Sequence, residues 1–169
     1  MRWGQPDIAR ILIDGSSGVT SENKDRATPL HLAAREGRTK VANMLIEGGA
    51  DVASRDLDEE TPLHLALRWG WPDVARILVQ HDADVTARDK DGSTPLHLVS
   101  STPPQLFRKS PEQYAEVARI LLKRGADAKG KDKDGLTAFD LASQQDGLVE
   151  VKRVLLEHSA ESGAHGEMD

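Results

Sequence analysis

Cysteine is absent from this 169-residue sequence. Its absence excludes a disulfide framework, a Cys-based zinc site and a thiol nucleophile, and it fits a reducing compartment. Aromatic residues make up only 4% of the chain, so a core has to be assembled from Leu, Ile, Val and Ala. Positive charge is also short: 22 Lys and Arg against 28 Asp and Glu leave a net charge of -6, with the two signs interleaved. No basic stripe emerges, which disfavours nucleic acid and anionic membrane surfaces as partners. Long apolar runs are missing too, and Asp7 and Arg10 interrupt the stretch from Met1 to Gly15 where a signal peptide or membrane span would lie. The expectation is an intracellular protein, cytoplasmic or nuclear, with no membrane span.

What the sequence does contain is repetition. Thr61-Pro62-Leu63-His64-Leu65-Ala66 is preceded 33 residues earlier by Thr28-Pro29-Leu30-His31-Leu32-Ala33 and followed 33 residues later by Thr94-Pro95-Leu96-His97-Leu98. A worn copy, Thr137-Ala138-Phe139-Asp140-Leu141-Ala142, comes further on. Such a period marks a stacked solenoid. Each copy reads as a helix start, with Thr as N-cap, Pro at the first helical position and His at the third, within reach of the cap. Gly37 and Gly70 end these helices by accepting the left-handed conformation.

A second helix follows in every repeat, with apolar residues spaced i, i+3, i+4 at Ile8, Ile11 and Leu12, at Val41, Met44 and Leu45, at Val74, Ile77 and Leu78, at Val117, Ile120 and Leu121, and at Val151, Val154 and Leu155. Gly49, Asp82 and Gly125 then suit a left-handed terminus before a polar turn. Asp89-Lys90-Asp91-Gly92 and Asp132-Lys133-Asp134-Gly135 are strong turn sequences, whereas Arg26 and Glu59 stand where those glycines would be, so these two turns are expected to adopt another geometry.

Helix, turn, helix and projecting hairpin in 33 residues, marked by TPLHLA and by GADV, closely resembles the ankyrin repeat over nearly the whole chain. The resemblance implies an all-α solenoid of helix-turn-helix units with projecting β-hairpin loops. Its units are a leading half repeat at 1–22, repeats at 23–55, 56–88, 89–131 and 132–161, and a disordered tail at 162–169. The third repeat carries ten extra residues around 102–110. There Pro103 and Pro104 forbid simple continuation of the helix, and Ser110, Pro111 and Gln113 read as a fresh start with a capping box.

His31, His64 and His97 occupy one motif position in successive repeats, so they read as hydrogen-bonding scaffold rather than as a metal site or a general base. No nucleophile-base pair, carboxylate pair or phosphate-binding loop stands out, and no enzyme activity, metal or cofactor is expected. The resemblance implies a monomeric module that binds another protein through its hairpin tips and concave first-helix face. It also leaves open a regulatory or targeting segment of a larger enzyme, channel or effector. Mapped onto this sequence, the contact positions are Lys24, Asp25, Ala27, Arg35 and Glu36; Leu57, Asp58, Glu60, Arg68 and Trp69; Lys90, Asp91, Ser93 and Ser101; and Lys133, Asp134, Leu136 and Gln144.

Trp69, with Arg68 beside it and Trp71 nearby, reads either as a binding hot spot or as a cover for the helix ends of a neighbouring repeat. Leu106 and Phe107 in the insertion read either as a partner contact or as local packing. The acidic tip of Asp56, Asp58, Glu59 and Glu60 reads either as a docking patch for a basic surface or as solvated charge.

Overall fold

The structure, a computed structural model, describes residues 18–101, 110–145 and 147–164. Their first helices are α1 (Pro29–Arg35), α3 (Pro62–Arg68), α5 (Pro95–Ser101) and α7 (Ala138–Ser143). Their second helices are α2 (Thr39–Glu47), α4 (Pro72–Gln80), α6 (Pro111–Lys123) and α8 (Val149–Ala164). First helices pack on first helices along the series α1, α3, α5 and α7, second helices pack along α2, α4, α6 and α8, and each pair closes on itself. This is an all-α repeat solenoid. Among the described residues, pairing within the projecting loops reaches only a single antiparallel bridge, Lys131 with Thr137. The final helix runs through Ala164, three residues past the boundary expected at 161.

The core lies between the two helix rows. Leu30, Leu63 and Leu96 from the first helices and Leu45, Leu78 and Leu121 from the second are fully buried. Ala42, Ala75 and Ala118 are buried as well, while Met44, Ile77 and Ile120 are only half-buried. The buried stripe is thus turned toward alanine, whose small side chain lets adjacent second helices approach. Ile8, Ile11 and Leu12 lie outside the described residues.

Caps follow the sequence closely in the first helices. The Thr61 amide donates to His64 Nδ1 at 3.2 Å and the hydroxyl lies 2.8 Å from the same nitrogen. Since an amide can only donate, Nδ1 is a bare acceptor and the ring proton sits on Nε2. That proton is directed at the carbonyls of Ala87 and Ser93, both at 3.2 Å. His31 reaches the Glu60 carbonyl at 3.0 Å and His97 reaches those of Gly130 and Leu136 in the same manner. Each of these three histidines therefore caps its own helix and ties its repeat to the next. Asp140 keeps the cap, accepting from the Thr137 amide at 2.9 Å, but its carboxylate has no proton to send onward. Helix α6 departs from expectation: Ser110 is the N-cap and Pro111 follows it, yet the Ser110 side chain makes no cap hydrogen bond and no box forms with Gln113.

The turns at Arg26 and Glu59 also differ from expectation. Both residues adopt φ 58, the left-handed region also used by Gly92 at 73 and Gly135 at 77. The common geometry is imposed by a side chain at the head of each turn. Asn23 Oδ1 accepts from the amides of Asp25 and Ala27, Asp56 Oδ1 from Asp58 and Glu60, Asp89 Oδ1 from Asp91 and Ser93, and Asp132 Oδ1 from Asp134 and Leu136, all at 2.8–3.0 Å. Two such bonds per turn outweigh a left-handed penalty of about 1–2 kcal/mol.

Candidate functional site

The loop tips form one continuous edge. The Leu57 amide donates to the Asp25 carbonyl at 2.9 Å, the Lys90 amide to that of Asp58 at 3.0 Å and the Lys133 amide to that of Asp91 at 3.0 Å. A second line of bonds runs behind them: Arg55 donates to the Arg88 carbonyl and Arg88 to the Lys131 carbonyl, each at 2.8 Å. With the backbone satisfied internally, the tip side chains Lys24 and Asp25, Leu57 and Asp58, Lys90 and Asp91, and Lys133 and Asp134 all face solvent. Leucine interrupts an otherwise charged series, and at 58% exposure Leu57 is an apolar side chain on the crest.

Beside the tips, two expected contact residues turn inward. Glu60 is only 7% exposed, because Arg68 lies across it with Nε 2.5 Å from Oε1. Burial raises the Glu60 carboxyl above its usual range, and the guanidinium opposes that shift. Arg68 also reaches Asp89 Oδ2 at 2.8 Å, so it bridges two repeats. Asp56 is buried by its turn role. The expected acidic tip is thereby reduced to Asp58 and Glu59, and Lys90 Nζ lies 2.5 Å from the Asp58 carboxylate. Ser101 is half-buried and donates to the Leu98 carbonyl.

At the other end of the first helices lies an open cleft of about 640 Å³ lined by Arg35, Glu36, Arg38, Trp69 and Trp71. The two tryptophans play different parts. Trp71 is half-buried: its Nε1 donates to the Arg35 carbonyl at 2.9 Å, and its ring covers Gly37 so closely that a Cβ there would meet it at 2.2 Å. Trp69 caps α3 and stays 42% exposed. Its backbone is held from behind, since Gly70 is buried at φ 74 and its carbonyl accepts from the Tyr114 hydroxyl at 3.0 Å.

Leu106 and Phe107 lie outside the described residues. Arg38, Tyr114 and the turn head Asn23 were not singled out by the sequence, and Asp56, Asp89 and Asp132 were read as tip charge or turn sequence without their bonds to the turn amides. The recurrence of Asn23, Asp56 and Asp89 at the repeat period was the one signal that could have found the turn heads.

Burial lowers the imidazoles of His31 and His64 below the ordinary range, in keeping with neutral rings wedged between repeats. Among the described residues, no three His, Asp or Glu side chains converge as a metal site, and no helix is long and apolar enough to cross a membrane. What the surface offers is shape and charge on a rigid frame. A family model described as ankyrin repeats (3 copies) matches residues 1–56 and 52–109. A comparison with curated proteins returned no match.

Proposed function

Because the chain belongs to the ankyrin-repeat family, we propose that it is a non-enzymatic, monomeric module that binds another protein along its loop tips and first-helix face. Ankyrin repeats are generally protein-protein interaction modules. The observation that carries the reading is the exposure of Leu57 and Trp69 on backbones whose amides are already bonded within the stack. Exposed large apolar groups on an ordered frame are the usual anchors of an interface.

Affinity capture followed by lysine cross-linking tests it. Cross-links to the partner should concentrate at Lys24, Lys90 and Lys133, and a Leu57→Glu variant should weaken capture at unchanged melting temperature. Cross-links confined to Lys123 and Lys152 on the second helices would overturn the reading.

A further inference from the structure

We infer that the cleft between Trp69 and Trp71 receives a partner segment bearing a carboxylate beside an apolar or aromatic side chain, Arg35 pairing with the acid and Trp69 stacking on its neighbour. This rests on the protein-binding reading above and names the chemistry the partner brings to one part of it.

Charge sets the sign. Of the three charged residues lining the cleft, Arg38 is engaged by Glu36, with Nε 3.2 Å from Oε2. Arg35 is exposed and forms no ion pair among the described residues, although its carbonyl is held by Trp71. The cleft thus presents one uncompensated guanidinium against an aromatic wall. Such a fork matches a single carboxylate, whereas a phosphate dianion calls for a cluster of arginines. A cationic ligand would enjoy the Trp69 face but meet Arg35 directly.

Geometry sets the rest. Trp71 is locked over Gly37, and the backbone at Trp69 and Gly70 is fixed through Tyr114, so the cleft is formed before a ligand arrives and little ordering opposes binding. The chain as a whole is acidic, at -6, and its tips carry Asp25, Asp58, Asp91 and Asp134. Lys24, Lys90 and Lys133 stand beside them and leave the tips close to balanced, so an acidic segment gains little there and the Arg35 guanidinium sets its position.

Random-peptide display on the full chain tests the inference, with Trp69→Ala and Arg35→Glu as variants. The Arg35 side chain is exposed, so its reversal leaves folding intact, and circular dichroism with thermal melting checks both variants. Peptides selected on the parent chain should be enriched in Asp or Glu adjacent to an apolar or aromatic residue. A selected peptide should bind about tenfold more weakly after its acid is replaced by the amide, after Arg35→Glu, or after Trp69→Ala. Selection repeated on Arg35→Glu should turn toward Lys and Arg. Selected peptides without acidic enrichment, or indifferent to Arg35→Glu, would overturn the inference. If those same peptides protect Lys24, Lys90 and Lys133 from modification, the tip-binding reading survives its failure. Selection of no peptide on any face would count against both.

Discussion

A buried histidine that must stay neutral makes stability depend on pH. Protonation of His64 would set an N–H against the Thr61 amide, donor against donor. The folded pKa values of His31 and His64 lie below the ordinary 6.5, so the unfolded chain binds more protons as pH falls through 6.5 and stability is lost in that direction. Glu60 works the other way. Its carboxyl is raised above 4.5, the folded state takes up the proton first, and stability rises as pH falls through the folded value toward 4.5. The urea midpoint should therefore drop between about pH 7.5 and about pH 6, and a Glu60→Gln variant should show a larger total loss on going down to about pH 5. A midpoint that holds constant over that range contradicts the role given to the histidines. The left-handed turns supply a second residue-scale expectation. Glu59→Gly removes the Cβ conflict at φ 58 and should stabilise by about 0.5–1 kcal/mol, whereas Asp56→Ala strands the buried Glu60 amide and should cost about 1–3 kcal/mol, both read by denaturant melts.

Between α1 and α2, the decisive contact is an aromatic ring from the next repeat seated on a glycine. Gly37→Ala meets both a left-handed backbone at φ 69 and the Trp71 ring, and should destabilise by about 2 kcal/mol or more. Removing the ring as well, with Trp71→Ala, should recover about 1 kcal/mol relative to the sum of the single changes in a double-mutant cycle. Strict additivity would mean the ring yields freely.

Element starts were the most legible feature of the sequence, because Thr-Pro-x-His places cap, first-turn proline and return acceptor within four consecutive residues. The turns at Arg26 and Glu59 were not, since their conformation is decided by Asn23 and Asp56 and by bonds to neighbouring tips rather than by the residue at the bend. Glu60 was misplaced for a related reason. Its burial comes from Arg68, which is itself anchored in the following repeat by Asp89. Of the two roles open to the tryptophans, the structure divides them: Trp71 covers a helix end and Trp69 stays open. A single repeat read alone contains neither relation.

Across the whole molecule, stability resides in the seams. Among the described helices the main packing is between adjacent repeats, so a weakened seam should loosen what lies beyond it before it affects what lies behind. His97→Ala removes the bonds to the Gly130 and Leu136 carbonyls. Amide exchange should accelerate in α7 and α8 while α3 retains its protection. Uniform acceleration through all helices would instead indicate one indivisible folding unit.

Beside the carboxylate contacts of Arg68 with Asp89 and of Lys90 with Asp58, the acceptors that recur from seam to seam are carbonyls. His64 addresses Ala87 and Ser93, Leu57 addresses Asp25, and Arg55 addresses Arg88, in each case through the main chain. A carbonyl is the same whichever residue carries it. A neighbouring unit can therefore be duplicated, exchanged or rewritten at its surface without renegotiating the joint, and novelty in what the molecule recognises can be inherited separately from the means by which it stands up.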